Sequence, residues 1–359
     1  MRFIHIADTH LGAVPEAGAA YSEGRPGEIW DAFERVIDLC ESEQMDLLLI
    51  AGDMFHRQPL LRELKEVNYL FSKLTHTKVV FIVGNHDYLK HDSYYRGFKW
   101  NENVFPILSS ETTCVPFEEM GVAVYGFSYD TREIRKPRYD LISAPGDYPI
   151  EILLAHGGDE KHVPLNKNQL AVNGFSYTAL GHIHKPQIVV APPEHPELEE
   201  PVSPAVYAGA LEPLDVNDTG EHGFIRGEIT KNRIALSFEP AALREYIHLE
   251  IPVHSSTTNG ALKNRVRSEI EERGIQNIYK VILNGYRDPD IVFELGQMDQ
   301  YGNITAFVDE TKPSYDFEKL LEENPDNLLG RFIRQYIGSE EGSVEYQALC
   351  EGVQALICR

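Results

Sequence analysis

The amino-acid sequence predicts an α/β fold in which two β-sheets form a sandwich flanked by helices. Within residues 2–83, apolar runs of strand length alternate with segments of helical periodicity, the pattern of parallel βαβ units. Between residues 111 and 239 the pattern changes to short strand-like segments separated by turns, which provide strands for a second sheet. A small C-terminal α/β domain completes the predicted architecture.

The N-terminal region predicts three buried strands joined by two helices. Ile29, Phe33, Ile37 and Cys40 recur at helical spacing and indicate the buried face of the first helix. Because strands that alternate with helices pair in parallel, their carboxyl ends should lie at one edge of the sheet. The predicted elements are strand 2–7, helix 27–43, strand 46–51, helix 59–74 and strand 78–83.

The following region predicts mainly strands. A segment dense in proline and glutamate, APPEHPELEEPVSP at 191–204, interrupts them. Proline lacks the backbone N–H that a helix interior or a central strand requires, so we expect an exposed excursion there. The predicted strands are 111–117, 121–127, 150–155, 177–181, 186–190, 205–208, 223–229 and 233–239.

A change of pattern near Pro240 predicts a domain boundary, with a first domain at 1–240 and a small α/β domain at 241–340. The C-terminal segment 341–359 contains a last amphipathic helix at 344–357. The predicted elements of the small domain are strand 245–253, helix 259–273, strands 278–285 and 303–309, and helices near 315–323 and 325–337.

Composition indicates an acidic globular protein. The chain has 359 residues, 42% of them apolar, and a formal net charge of −23. Residues 1–240 carry 36 acidic and 21 basic side chains and residues 241–359 carry 20 and 12, so neither domain resembles a basic nucleic-acid-binding module. The N-terminus has no signal pattern, no apolar stretch approaches the ~20 residues that span a bilayer, and the four cysteines form no CxxC pair. We therefore expect a cytoplasmic protein with reduced thiols and no membrane association.

Five short polar blocks recur along the chain, and the first three end predicted strands. Their Asp, Asn and His side chains offer the oxygen and imidazole donors that suit divalent metal ions. Each block alone has a simpler interpretation, such as a helix N-cap, a turn or a buried core histidine. Convergence at the strand ends favours a shared site. The blocks are DTH at 8–10, GDMFH at 52–56, GNHD at 84–87, AHG at 155–157 and GHIH at 181–184.

This ordered set of blocks resembles the calcineurin-like metallophosphoesterase family over about residues 1–230. The segments DTHLG, GDMFH and GHIHKPQ are similar to those of SbcD-type DNA repair exonuclease subunits, especially a YhaO-like bacterial branch. Residues 207–224 resemble the strand and turn that follow GHxH in those nucleases, and the region after 240 fits the position of their capping domain. The resemblance implies the metallophosphoesterase sandwich with a small capping domain.

The same resemblance implies a centre with two divalent metal ions bridged by one carboxylate. The family suggests Mn²⁺, and oxygen plus imidazole donors would also suit Fe or Zn²⁺. The implied ligands are Asp8, His10, Asp53 and His184 for one ion, and Asp53, Asn85, His156 and His182 for the other.

Three further residues are implied to act beside the metals. His86 would stabilise the transition state or protonate the leaving oxygen, which is general-acid work suited to imidazole. Asp87 would orient His86 or cap the turn, and both alternatives stay open. His56 resembles a histidine that supports exonuclease action, although it could also be an ordinary loop residue.

The leading functional prediction is a Mn²⁺-dependent DNA exonuclease of DNA repair, with some endonuclease action on single strands. One alternative is a phosphodiesterase or phosphatase for small nucleotides, which the acidic composition favours. Another is a non-catalytic scaffold subunit, which the complete ligand set disfavours. The densest basic cluster, TREIRKPR at 131–138, could contact DNA backbone or form a solvated surface loop.

Expected partners follow from the resemblance and from the charge. A chain of net charge −23 binds a long polyanion poorly alone, so DNA should be held with the help of an SbcC-like coiled-coil ATPase subunit. We expect a homodimer whose contact involves helices 59–74 and 92–98, and we expect the C-terminal region to dock the ATPase.

Overall fold

The predicted strands and helices of the N-terminal region are present in the computed structural model, which describes residues 1–193, 202–230, 233–340 and 342–357. This region contains β1 (Arg2–Ile6), α1 (Arg25–Ser42), β2 (Leu47–Ala51), α2 (Leu61–Ser72), β3 (Lys78–Ile82) and β4 (Val104–Ile107). There follow β5 (Thr113–Phe117), β6 (Val122–Gly126), β7 (Ile150–His156), α3 (Lys167–Ala171), β8 (Tyr177–Gly181), β9 (Gln187–Val190), β10 (Ala205–Tyr207), β11 (Gly223–Thr230) and β12 (Arg233–Pro240).

These strands form two six-stranded sheets. The first has the order β12-β11-β1-β2-β3-β4, and its neighbours from β1 to β4 pair in parallel. The second has the order β5-β6-β7-β8-β10-β9, with parallel pairing from β6 through β10. Strands β11 and β12 return to the first sheet, where β11 pairs antiparallel with β1. The chain therefore brings segments more than two hundred residues apart into one sheet.

Alternation along the strands separates the core into layers. Phe3 faces the buried layer between the two sheets, whereas its neighbour Ile4 faces the layer under α1 and α2. In α1, Phe33 and Ile37 lie fully buried in that helical layer, as their spacing predicts. A third apolar layer covers the outer face of the second sheet. The predicted α/β class, a two-sheet sandwich flanked by helices, is confirmed.

The differences from the predicted elements are short. The segment 92–98, predicted as a helix, forms only a four-residue 3₁₀ turn at Tyr94–Gly97. The four-residue strand β4 was not predicted, because Pro106 interrupts its short apolar run and proline is tolerated only at a sheet edge, where β4 lies. The helix α3 is a five-residue turn of helix, too short for a periodic pattern. Most of the predicted excursion at 191–204 lies outside the described residues.

Two compact units divide the chain, Met1–Tyr246 and Ile247–Arg359. The second contains a sheet in which β14 pairs in parallel with β15 and β16, and apolar residues of β13, β14 and α4 form one core. The boundary near Pro240 and the capping role of this unit stay predictions. Its elements are β13 (Tyr246–Val253), α4 (Asn259–Arg273), β14 (Ile278–Arg287), β15 (Ile304–Asp309), β16 (Lys312–Pro313), α5 (Phe317–Glu323), α6 (Leu328–Tyr336) and α7 (Val344–Ile357).

Cys40 is a buried free thiol and Cys114 an exposed one, while Cys358 lies outside the described residues. Within the described ranges, no helix has both the length and the apolar character needed to cross a membrane.

Candidate metal centre

Each polar block lies at the carboxyl end of a strand. Asp8 and His10 follow β1, Asp53 follows β2, and Asn85 follows β3 in the first sheet. His156 ends β7 in the second sheet, and His182 and His184 follow β8. Because these strands run in parallel within each sheet, seven side chains from five segments can converge at one end of the sandwich. The sequence-predicted ligands are all brought together there.

The backbone at these positions is strained. Asp8, His10, Asp53 and His182 have φ values of 49°, 45°, 48° and 99°, in the left-handed region that side chains other than glycine rarely adopt. The loops hold each other in this conformation, since the His10 N–H donates to the carbonyl of Asp53 at 3.0 Å. Such strain costs on the order of 1–3 kcal/mol per residue and is concentrated at functional sites. This backbone conformation directs the four side chains toward the candidate site.

One group of donors consists of Asp8, His10 and His184, whose candidate ligand atoms all lie within 4.8 Å of one another. Asp8 and His10 are fully buried. The Nε2 atoms of His10 and His184 are 3.2 Å apart, and Asp8 Oδ1 has no hydrogen-bond partner among the described residues. A buried carboxylate oxygen without a donor is costly unless a cation neutralises it.

A second group consists of Asp53, His156 and His182, again within 4.8 Å of one another. The side-chain oxygen of Asn85 joins it, lying 2.9 Å from His156 Nε2 and 3.1 Å from His182 Nδ1. Four oxygen and nitrogen donors that converge in this way are the kind of ligand set that a divalent cation requires.

The carboxylate of Asp53 lies between the two groups. Its Oδ2 is 4.0 Å from His10 Nε2 in the first group and 3.3 Å from His156 Nε2 in the second. Gly84 permits this position, because a Cβ there would lie 2.2 Å from Asp53 Oδ1. Asp53 is therefore placed as the link between the two groups.

Burial and mutual charge set the protonation of the cluster. Burial, with repulsion from Asp53, raises the pKa of Asp8 to about 6. Burial opposes protonation of His156, but the neighbouring Asp53 carboxylate outweighs it and raises the pKa of His156 to about 9. Burial and the adjacent histidines hold the pKa of His10 well below its usual range. A metal ligand must be deprotonated, so divalent ions that bound these acids and imidazoles would displace the protons that the groups now share.

The residues present therefore fit a dimetal centre. Carboxylate, amide and imidazole donors converge from two sheets, and one carboxylate is shared between the groups. These are hard or borderline ligands without a thiolate, which suits Mn²⁺, Fe or Zn²⁺.

Two carboxylates beside the centre were missed by sequence reasoning. Asp159 accepts from His182 Nε2 at 2.8 Å, and Asp218 accepts from His184 Nδ1 at 3.0 Å. Each leaves the opposite ring nitrogen facing the site, and such partners fix the tautomer and orientation of a ligating histidine. The sequence contained a weak signal, since Asp159 is three residues after His156.

We expect Asp218→Ala to weaken metal binding by about 10–100-fold, because His184 loses the group that orients its ring. Calorimetric titration of the metal-free protein with Mn²⁺ measures this directly. Asp218→Asn keeps an acceptor oxygen and should recover part of the affinity. Asp215→Asn, in the same loop, is the matched control, because the Asp215 carboxylate accepts from the N–H of Asn217 and not from His184. Unchanged affinity in Asp218→Ala would remove the positioning role.

The remaining predicted residues surround the centre in different ways. The half-buried His86 ring lies with its centroid 4.8 Å from that of His10, and His86 Nδ1 donates to the carbonyl of His56 at 3.1 Å, which leaves Nε2 unengaged by that bond. The exposed His56 ring lies 5.4 Å from that of His10. Both histidines therefore adjoin a predicted metal ligand.

Asp87 is fully buried. Its carboxylate accepts from the backbone of Gly84 and Phe55 and from the Tyr95 hydroxyl. Burial, together with Asp53, raises the pKa of Asp87 to about 7. These contacts favour the turn-capping alternative over a direct orientation of His86.

The sandwich and its paired Asp/His groups define a phosphoesterase of the dimetal class. A family model described as calcineurin-like phosphoesterase matches residues 1–186, just over half of the chain, and the chain belongs to that family.

Among related proteins, the chain is 28% identical over 325 residues to the uncharacterized metallophosphoesterase YhaO of Bacillus subtilis, covering 84% of this chain and 76% of that protein. It is 27% identical over 252 residues to the DNA double-strand break repair protein Mre11 of Aeropyrum pernix, covering 62% of this chain and 56% of that protein. For Mre11 of Methanocaldococcus jannaschii the identity is 29% over 196 residues, with 52% of each chain covered. The chain thus spans about half the length of these archaeal relatives.

Proposed function

We propose that this chain is a Mn²⁺-dependent DNA nuclease that hydrolyses phosphodiester bonds in DNA repair. The observation that supports it is the pair of donor groups joined by Asp53, in a family whose relatives include proteins named for DNA double-strand break repair.

The proposed chemistry uses the groups in distinct roles. Two divalent ions, held by Asp8, His10, Asp53 and His184 and by Asp53, Asn85, His156 and His182, would supply Lewis-acid stabilisation of the attacking and leaving oxygens. His86 lies beside them at the opening and donates a proton to the leaving oxygen, as a general acid.

A second candidate function is a phosphodiesterase or phosphatase for small nucleotides. The net charge of −23 favours it, because long-range repulsion disfavours a long polyanion more than a small ester. The exposed His56 beside His86 favours the nuclease, since a residue at the rim contacts a substrate that extends beyond the scissile bond. A non-catalytic scaffold would have no need of seven converging donors.

One parallel assay separates these functions. The purified, Mn²⁺-loaded chain is given linear duplex DNA, circular single-stranded DNA and bis(p-nitrophenyl) phosphate, with a chelator-treated sample as the control. The nuclease proposal expects cleavage of DNA and of the small ester. Cleavage of the small ester alone would favour the small-nucleotide function, and no cleavage with any of Mn²⁺, Fe²⁺ or Zn²⁺ would favour the scaffold.

We propose further that the nuclease acts as a homodimer together with an SbcC-like coiled-coil ATPase subunit that holds the DNA. The exposed residues of α2 and of the segment 92–98 are the proposed dimer contact, and the second unit is the proposed ATPase dock. Exposed Leu61 and Tyr69 on α2 and Tyr94 nearby are apolar surface in keeping with a partner.

This partner proposal predicts weak duplex binding by the chain alone at ~0.15 M salt, because phosphate contacts by Lys and Arg supply most non-specific affinity and this chain is acidic throughout. Fluorescence anisotropy with a labelled duplex measures the affinity. Tight binding that resists salt, or processive degradation of long duplexes by a purified monomer, would contradict the need for a partner.

A further inference from the structure

A cavity of about 380 Å³ opens beside the metal centre. Asn85 and His86 are among the residues that line it, and so are the cations Lys90, Arg132 and Arg57 and the aromatic ring of Tyr88. Its size falls within the roughly 300–1,000 Å³ of small-molecule sites. A concentration of positive charge at this point contrasts with the acidic composition of the chain.

Two of these cations differ from the third in their partners. Arg132 and Lys90 form no ion pair with any residue that the structure describes. Arg57 differs, because both of its terminal nitrogens bond the Glu63 carboxylate, at 2.8 and 3.1 Å. The cavity therefore presents two uncompensated positive charges next to His86.

The structure also separates Arg132 from the rest of the basic cluster in which it lies. Arg135 pairs with Glu133 at 2.8 Å, and the guanidinium of Arg138 lies 4.0 Å from the Phe127 ring centroid. Only Arg132 of this cluster is among the residues that line the cavity. The cations of this cluster therefore have different surroundings, and Arg132 is the one placed to meet a ligand in the cavity.

Tyr88 adds an aromatic face held in place by its surroundings. It is half-buried against the apolar layer of the second sheet, and its carbonyl accepts from Gln58 Nε2 at 2.8 Å. Lys90 Nζ lies 5.5 Å from its ring centroid. An aromatic ring beside unpaired cations is the combination that binds single-stranded nucleic acid, where bases stack and phosphates meet positive charge.

We propose that this cavity binds the nucleotide adjoining the scissile bond of a single DNA strand. Arg132 and Lys90 hold the neighbouring phosphate, and Tyr88 stacks on the base. A planar guanidinium can grip a phosphate through two hydrogen bonds, whereas the Lys90 ammonium acts as a point charge. The inference rests on the proposed nuclease function and specifies its substrate, since a small ester with one phosphate at the metal centre leaves both cations without a ligand.

The first test measures binding without turnover. The metal-free full chain is titrated with a fluorescein-labelled thymidine strand of about 12 nucleotides, across about 50–200 mM KCl. Removing one phosphate contact by Arg132→Gln or Lys90→Gln should reduce the slope of log K against log salt by about 0.7. Arg135→Gln, whose cation is already paired with Glu133, is the matched control and should keep the slope.

The second test compares substrates with the Mn²⁺-loaded chain. Arg132→Gln should raise KM for the oligonucleotide by about tenfold more than KM for bis(p-nitrophenyl) phosphate, the loss expected for one charged hydrogen bond. Equal changes for both substrates, or salt slopes that match the unchanged protein in both variants, would overturn the cavity proposal. Absence of any cleavage by the unchanged protein would instead refute the nuclease, and the salt slopes would still decide whether the cavity binds a strand.

Discussion

Replacing Asp53 by asparagine should abolish phosphoesterase activity and lower the metal content. Asp53 lies between the two donor groups, with Oδ2 4.0 Å from His10 and 3.3 Å from His156, so both proposed ions share it. The substitution removes the negative charge but keeps the volume, and one neutral oxygen cannot clamp two cations as a bridging carboxylate does. Turnover of bis(p-nitrophenyl) phosphate and elemental analysis after gel filtration measure the two losses.

A control substitution tests whether the loss of metal and activity is specific to Asp53 or follows from the loss of any carboxylate. Asp38→Asn alters a carboxylate on α1 that is 63% exposed, and it should leave both metal content and turnover as they are. Circular dichroism of Asp53→Asn establishes that the variant is folded. Two metals per chain together with near-normal turnover in Asp53→Asn would refute the shared-ligand arrangement.

Replacing His86 by alanine should lower the rate by about 10²–10⁴-fold while both metals remain bound, the range for loss of a general acid. His86 stands beside the ligands without belonging to either donor group around Asp53, and its Nδ1 is engaged by the carbonyl of His56. The loss should fall mainly on kcat, because the substituted group acts on the leaving oxygen.

The metal content of the His86→Ala variant decides whether His86 is a general acid or a metal ligand. If the variant loses an ion, then His86 is itself a ligand and the general-acid assignment is wrong. The candidate site for that ion is the group formed by His10, His56 and His86, whose candidate ligand atoms lie within 4.8 Å of one another. His91→Ala, an exposed histidine five residues along the chain, is the control that should keep both metals and the full rate.

Much of the fold was predictable because its elements have local causes. The strand 177–181 was predicted with the bounds that the structure has, and helix 259–273 likewise. The short edge strand β4 was not predicted, because Pro106 interrupts its apolar run. Its strand conformation depends on pairing with β3. The same locality explains why β11 and β12 were predicted as strands but not assigned to the first sheet, where β1 pairs with β11 across more than two hundred residues.

By itself, the sequence determined the class of this protein and the ligands proposed for its metals. The first three polar blocks end apolar runs, and the order of all five resembles that of one family. Both properties can be recognised along the chain without knowledge of the fold. Only the tertiary structure decided which acids contact those ligands and which cations line the neighbouring cavity. Asp218 reaches His184 across 34 residues and Asp159 reaches His182 across 23. Such contacts depend on strand register and loop geometry, because side chains on separate loops meet only after both sheets have formed.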